Sequence, residues 1–147
     1  MYKYVTIFAF SFLLLGLQDK ASEQCDQALI DNCAAGSGNI KYIKHFRIRF
    51  AESKSTKNRS DGKFVMMLSN RKHYRVSACN DPSKQGSTII DPSSDYSKLG
   101  ENYNAETDKE YKAFDFMCTK TGPYYLTMFF KDGDEGCGVC VVSLVTD

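Results

Sequence analysis

The sequence predicts an all-β domain: an antiparallel β-sandwich, jelly-roll-like, preceded by one short helix. Three observations carry this. Apolar stretches of strand length recur through residues 39–147, most of them alternating with period two. Turn residues separate them, as in Asn70-Arg71-Lys72, Asn80-Asp81-Pro82, Thr121-Gly122-Pro123 and Asp132-Gly133. No helical periodicity follows the N-terminal segment.

The elements follow in chain order. In residues 1–18, Lys3 precedes an apolar run, Val5 to Leu17, and polar Gln18, Asp19 and Lys20 come directly after it. The run is short for a bilayer span and reads as a secretory signal peptide cut after Gln18. No second long apolar segment occurs, so no transmembrane segment is expected after cleavage. Residues 19–38 read as a short helical segment, with the helix from about Ser22 to Ala35 and Gly36-Ser37-Gly38 as its stop.

Residues 39–147 read as one sandwich domain. His45, Arg47 and Arg49 alternate with Phe46, Ile48 and Phe50, a half-buried strand. A polar loop, 51–62, leads to a second strand at Lys63–Leu68. Tyr74, Val76 and Ala78 mark a third. Ser87–Ile90 is a fourth, ended by Asp91-Pro92. The stretch Ser93–Lys109 is polar, with Leu99, Gly100 and Tyr103 as its anchors. Phe114, Phe116 and Cys118 alternate with Asp115 and Met117. Tyr124–Phe130 reads as an apolar, aromatic strand, and Val139–Val145 closes the domain after the acidic hairpin Asp132-Gly133-Asp134-Glu135.

Six cysteines, Cys25, Cys33, Cys79, Cys118, Cys137 and Cys140, follow the signal segment. An even count behind an export signal marks all six as disulfide candidates, with connectivity left open. In a helix, Cys25 and Cys33 would share one face with sulfurs about 12 Å apart, so they could not bond to each other but could each staple the helix to the sheet. Cys137-Gly138-Val139-Cys140 has C-x-x-C spacing. A redox pair wants its first cysteine at a helix N-terminus, and here the motif runs into a strand, where the two side chains point to opposite faces. A zinc site lacks ligand spacing at His45 and His73.

The chain is 42% hydrophobic and 25% charged, which excludes a disordered protein. Its net charge of +1 hides an asymmetry. From Lys41 to Arg75 there are eleven Lys and Arg against two acids, whereas Asp81 to Asp147 holds twelve acids against six Lys. Lys44, Arg47, Arg49, Lys54, Lys57 and Arg59 are the residues of a candidate partner-binding basic face, toward an acidic protein, an anionic glycan or headgroups. Nucleic acid is not expected for an exported, near-neutral chain. Tyr42, Tyr96, Tyr103 and Tyr111 lie outside the core runs and are candidates for a protein or glycan contact. Asn58-Arg59-Ser60 is a glycosylation sequon, of consequence only in a glycosylating host.

Tyr74-Arg75-Val76-Ser77, Phe114-Asp115-Phe116 and Thr121-Gly122-Pro123-Tyr124-Tyr125-Leu126 together resemble the last strands of bacterial pre-peptidase C-terminal-like β-sandwich domains. The chain is also similar to small secreted proteins of Bacteroidetes-type bacteria. The resemblance covers about residues 63–145, and the six cysteines and the N-terminal helix depart from it. It implies an accessory or binding role at the cell surface or in the periplasm.

No catalytic motif is present: no serine sits in Gly-x-Ser-x-Gly, and each histidine is flanked by cations. The expectation is a non-catalytic secreted or envelope protein with no cofactor and no metal. Its partner is an unknown protein or glycan at the cell envelope. A glycan- or calcium-binding module and a thiol-disulfide protein using Cys137 and Cys140 are the alternatives. The acidic hairpin would hold the calcium, although it lacks the ligand spacing of an EF-hand.

Overall fold

The computed structural model describes residues 25–36, 38–53, 55, 59–95 and 97–146, so the expected signal peptide lies outside the described residues. Helix α1 spans Gln27–Ala34. The strands are β1 (Ile40–Phe50), β2 (Asp61–Leu68), β3 (His73–Asn80), β4 (Thr88–Ser93), β5 (Tyr103–Asn104), β6 (Lys109–Glu110), β7 (Ala113–Met117), β8 (Gly122–Phe130) and β9 (Gly136–Val145). A 3-10 turn, Lys131–Gly133, joins β8 to β9.

Two antiparallel sheets pack face to face. Sheet A has the order β1-β9-β3-β7 and sheet B the order β2-β8-β4. Apart from the small hairpin β5-β6, each strand lies in the other sheet from its predecessor. The pairs β1–β9, β2–β8 and β3–β7 nest like one long ribbon doubled over and wrapped, which is a jelly roll. Alternating apolar residues make the core between the sheets. Phe46, Ile48, Tyr74, Val76, Phe116 and Val142 from sheet A meet Met66, Leu68, Ile90, Leu126, Met128 and Phe130 from sheet B.

Helix α1 adds a third layer. Eight residues are too few to hold a helix in water, so tertiary contacts must hold this one. Asp26 caps it by accepting the Leu29 N–H at 2.9 Å. Ile30 and Cys33 pack on Val139 and Val141, on the outer side of sheet A. Strand β9 is therefore buried on both faces from Gly136 to Ser143. Its Gly138 passes so close under Thr88 that a Cβ would occupy the position of the threonine hydroxyl.

Three local expectations change. β1 begins at Ile40, five residues before the alternation becomes visible, because a bulge between Tyr42 and Lys44 breaks the period. β4 continues through Asp91-Pro92 to Ser93. Proline is tolerated there because β4 is an edge strand and needs no amide donor on its open side. The helix is shorter than expected and leaves Cys25 just before it.

The open side of β4 is closed by the polar stretch that follows it. Asn102, buried, accepts the Ile90 N–H at 2.7 Å and donates to the Thr88 carbonyl at 2.9 Å. Leu99 N–H donates to the Pro92 carbonyl at 2.9 Å. A loop thus occupies the place of an eighth sandwich strand. Beyond it, Lys131 ties the β5-β6 hairpin down through Asp108 at 2.6 Å and Glu110 at 3.6 Å.

Candidate binding surface

The cysteines divide into two classes. Cys25 is bonded to Cys137 and Cys33 to Cys79, with Cα separations of 5.5 and 5.8 Å. Both bonds fasten the helical segment to sheet A. Cys118 and Cys140 are buried free thiols, which corrects their place among the disulfide candidates. Cys140 lies opposite Ala78 on β3, whereas Cys118 pairs with the backbone of Lys72. Six residues of strand separate those points, about 20 Å, so the two thiols cannot meet. Cys137 and Cys140 face opposite sides of β9, one toward Cys25 and the other into the core. Burial pushes the Cys140 thiol well above its ordinary range, so it stays protonated and a weak nucleophile.

The basic residues do not form one face. Lys44 sits over the Phe46 ring at 5.1 Å, at the β1 edge of the core. Arg47 and Arg49 point to the other side of β1, the side of the Cys25–Cys137 bond, and Arg47 donates to the Cys25 carbonyl at 3.0 Å. They line a surface cleft of about 330 Å³. Arg59 lies over Phe129 at 3.4 Å, on the outer face of sheet B. Lys54, Lys57 and Asn58 of the sequon lie outside the described residues.

The tyrosines are dispersed as well. Tyr42 is on β1, with its hydroxyl 2.7 Å from His45 Nδ1. Tyr103 donates to Asp108 on the hairpin, and Tyr111 follows that hairpin under Lys109. Tyr96 lies outside the described residues.

His73 does have a carboxylate neighbour. The β3–β7 pairing brings Asp115 to 3.6 Å from its Nε2. That carboxylate already accepts from Arg75 Nε and Nη2, at 2.7 and 2.8 Å, which lowers its pKa below the usual carboxylate range. Glu135 of the acidic hairpin pairs with Lys84 at 2.7 Å. Among the described residues, no group of three His, Cys, Asp or Glu is placed to hold a metal ion.

The surface that stands out is the outer face of sheet B. β2 and β8 pair with Val65 opposite Tyr125 and Met67 opposite Pro123. Phe64, Met66 and Leu68 turn inward, so Val65 and Met67 turn out, 54% and 70% exposed, beside Tyr125 at 39%. Helix α1 covers the outer side of sheet A, but among the described residues no helix covers this one. The apolar patch runs to the end of the sandwich, where a cavity of about 180 Å³ opens between residues 94–99 and 119–124. Ser94, Asp95, Ser97, Thr119 and Thr121 line it, over Leu99 and Pro123. Tyr125 joins patch and cavity. The charge of Asp95, which also accepts its hydrogen bond, raises the phenol above its ordinary range. The sequence does carry a signal for this face: Phe64–Leu68 is apolar at both alternating sets of positions, more than one buried face requires.

The two disulfide bonds fit an oxidising compartment, and among the described residues no helix is long and apolar enough to cross a membrane. No family model matches the chain, and no curated protein matches it.

Proposed function

We propose that this chain is a non-catalytic secreted or envelope β-sandwich that binds another extracellular component, as a small subunit of an extracellular or outer-membrane assembly. The observation that carries this reading is the apolar face of Val65, Met67, Pro123 and Tyr125, exposed among the described residues. Contiguous exposed apolar surface on an exported domain is a mark of an interaction site. The resemblance to pre-peptidase-type sandwiches points the same way. Capture from the native extracellular fraction tests it. Wild type is expected to retain a component that the double variant Val65→Ser, Met67→Ser loses while keeping its melting temperature. Recovery of monomer alone from both proteins would contradict the reading.

A glycan-binding reading has one observation in its favour, the hydroxyl-lined cavity beside Tyr125 and Asp95. Calorimetry against a glycan panel tests it, and a flat response throughout removes it. The thiol-disulfide alternative draws no comparable support, since Cys137 is bonded to Cys25 and Cys140 is buried.

A further inference from the structure

We propose that β2 takes up an extended, acidic segment of a partner protein as an added strand, so that sheet B grows from three strands to four. This rests on the binding reading above and names its mode. The two sheets have four edges, and three are protected. The β4 edge is occupied by Asn102 and Leu99. The β7 edge is five residues long. The β1 edge is broken by its bulge and carries Lys41 and Lys44. Bulges, short strands, lysines and covering loops are the ordinary means of blunting an edge.

β2 has less protection. Its eight residues pair with β8 in continuous register, with no bulge, and among the described residues no strand lies on its other side. Its outward residues include Val65 and Met67, the two most exposed apolar side chains of the patch. A strand added here would gain main-chain hydrogen bonds from β2 and set alternate side chains against that patch.

Charge selects the occupant. Lys63, with its side chain 75% exposed, lies on β2 itself, 3.9 Å from Asp61. Lys44 reaches the same side of the sandwich, because its neighbour Phe46 packs on Phe64 of β2 at 4.8 Å. Arg59 precedes the strand, and Asp61 is its one acid. Three cations against one acid leave this edge net positive, so two copies joined through β2 would bring edges of the same sign together. An acidic segment is complementary instead.

A blocked peptide alternating glutamate and valine serves as the probe, with its lysine–valine counterpart as control, read by amide hydrogen exchange and calorimetry. Exchange is expected to slow about tenfold or more at alternate amides of Asp61–Leu68, those turned away from β8. Lys63→Glu is expected to weaken binding about fivefold by placing like charges opposite each other. Unchanged exchange along β2 at saturating peptide would overturn the proposal. So would equal binding of the lysine–valine peptide, or protection of β2 without peptide together with sedimentation as a dimer. Loss of the native partner on Met67→Ser but not on Lys63→Glu would overturn the acidic occupant proposed here while leaving the binding reading in place.

Discussion

Asn102 stands in for the neighbour that β4 lacks. Its amide satisfies the backbone of Thr88 and Ile90, in the first half of that edge, and also reaches the Tyr111 carbonyl at 3.3 Å. Asn102→Ala would strand a buried donor and a buried acceptor. The expected loss is about 3 kcal/mol of stability, read from urea unfolding. A change under about 0.5 kcal/mol would mean that water replaces the amide there. Asp81, Asp108 and Asp115 titrate as a second test at this scale. All three are held below the usual carboxylate range, by hydrogen bonds from Ser83, Lys131 and Arg75 respectively. A depressed folded-state pKa stabilises above the unfolded value and loses that contribution as the proton returns. Stability is therefore expected to be flat near neutrality and to fall as pH drops below about 4. An Asp115→Asn variant should show a shallower fall in the same titration.

At the scale of elements, the helix is held by covalent chemistry and by the apolar cluster around Ile30, Val139 and Val141. Removing Cys33 and Cys79 together frees a loop of 46 residues, for which chain entropy gives a loss of about 4 kcal/mol. Amides of Gln27–Ala34 should then exchange at rates close to those of an unfolded peptide. Protection there would mean that Ile30 and its strand contacts suffice. Thiol counting checks the other half of the cysteine map. Two thiols, Cys118 and Cys140, are expected to react in denaturant and neither in the folded protein. Much of this layer was legible in the sequence. Helical spacing argued against a Cys25–Cys33 bond and left bonds from both cysteines to the sheet as an option, with the partners open. The period-two runs located most of the strands. The bulge at Ile43 hid the start of β1, because a bulge resets the alternation that betrays a strand. Pro92 hid the end of β4, because an open edge makes proline harmless and the sequence does not mark which strands are edges.

Over the whole molecule, the sheet order decides what a linear reading of charge and aromatics leaves unresolved. Lys44, Arg47 and Arg59 are neighbours in sequence, yet the jelly roll sends one to the edge of the core, one beside the helix and one to the far sheet. Conversely, Tyr125 is far from Val65 and Met67 in the chain and adjacent to them in space, joined by the β2–β8 register. No local pattern encodes that adjacency. The described residues are thus two-sided: a helix stapled over sheet A, and on sheet B an apolar face that no described element covers and that ends in a polar cavity. Met117 provides an internal control, since it is 57% exposed but lies on β7 of sheet A. A photoreactive group placed at position 67 or at position 117, irradiated in the native extracellular fraction, tests the central claim most directly. The account predicts a discrete cross-linked product from position 67 and none from position 117. A product from position 117 alone would contradict it.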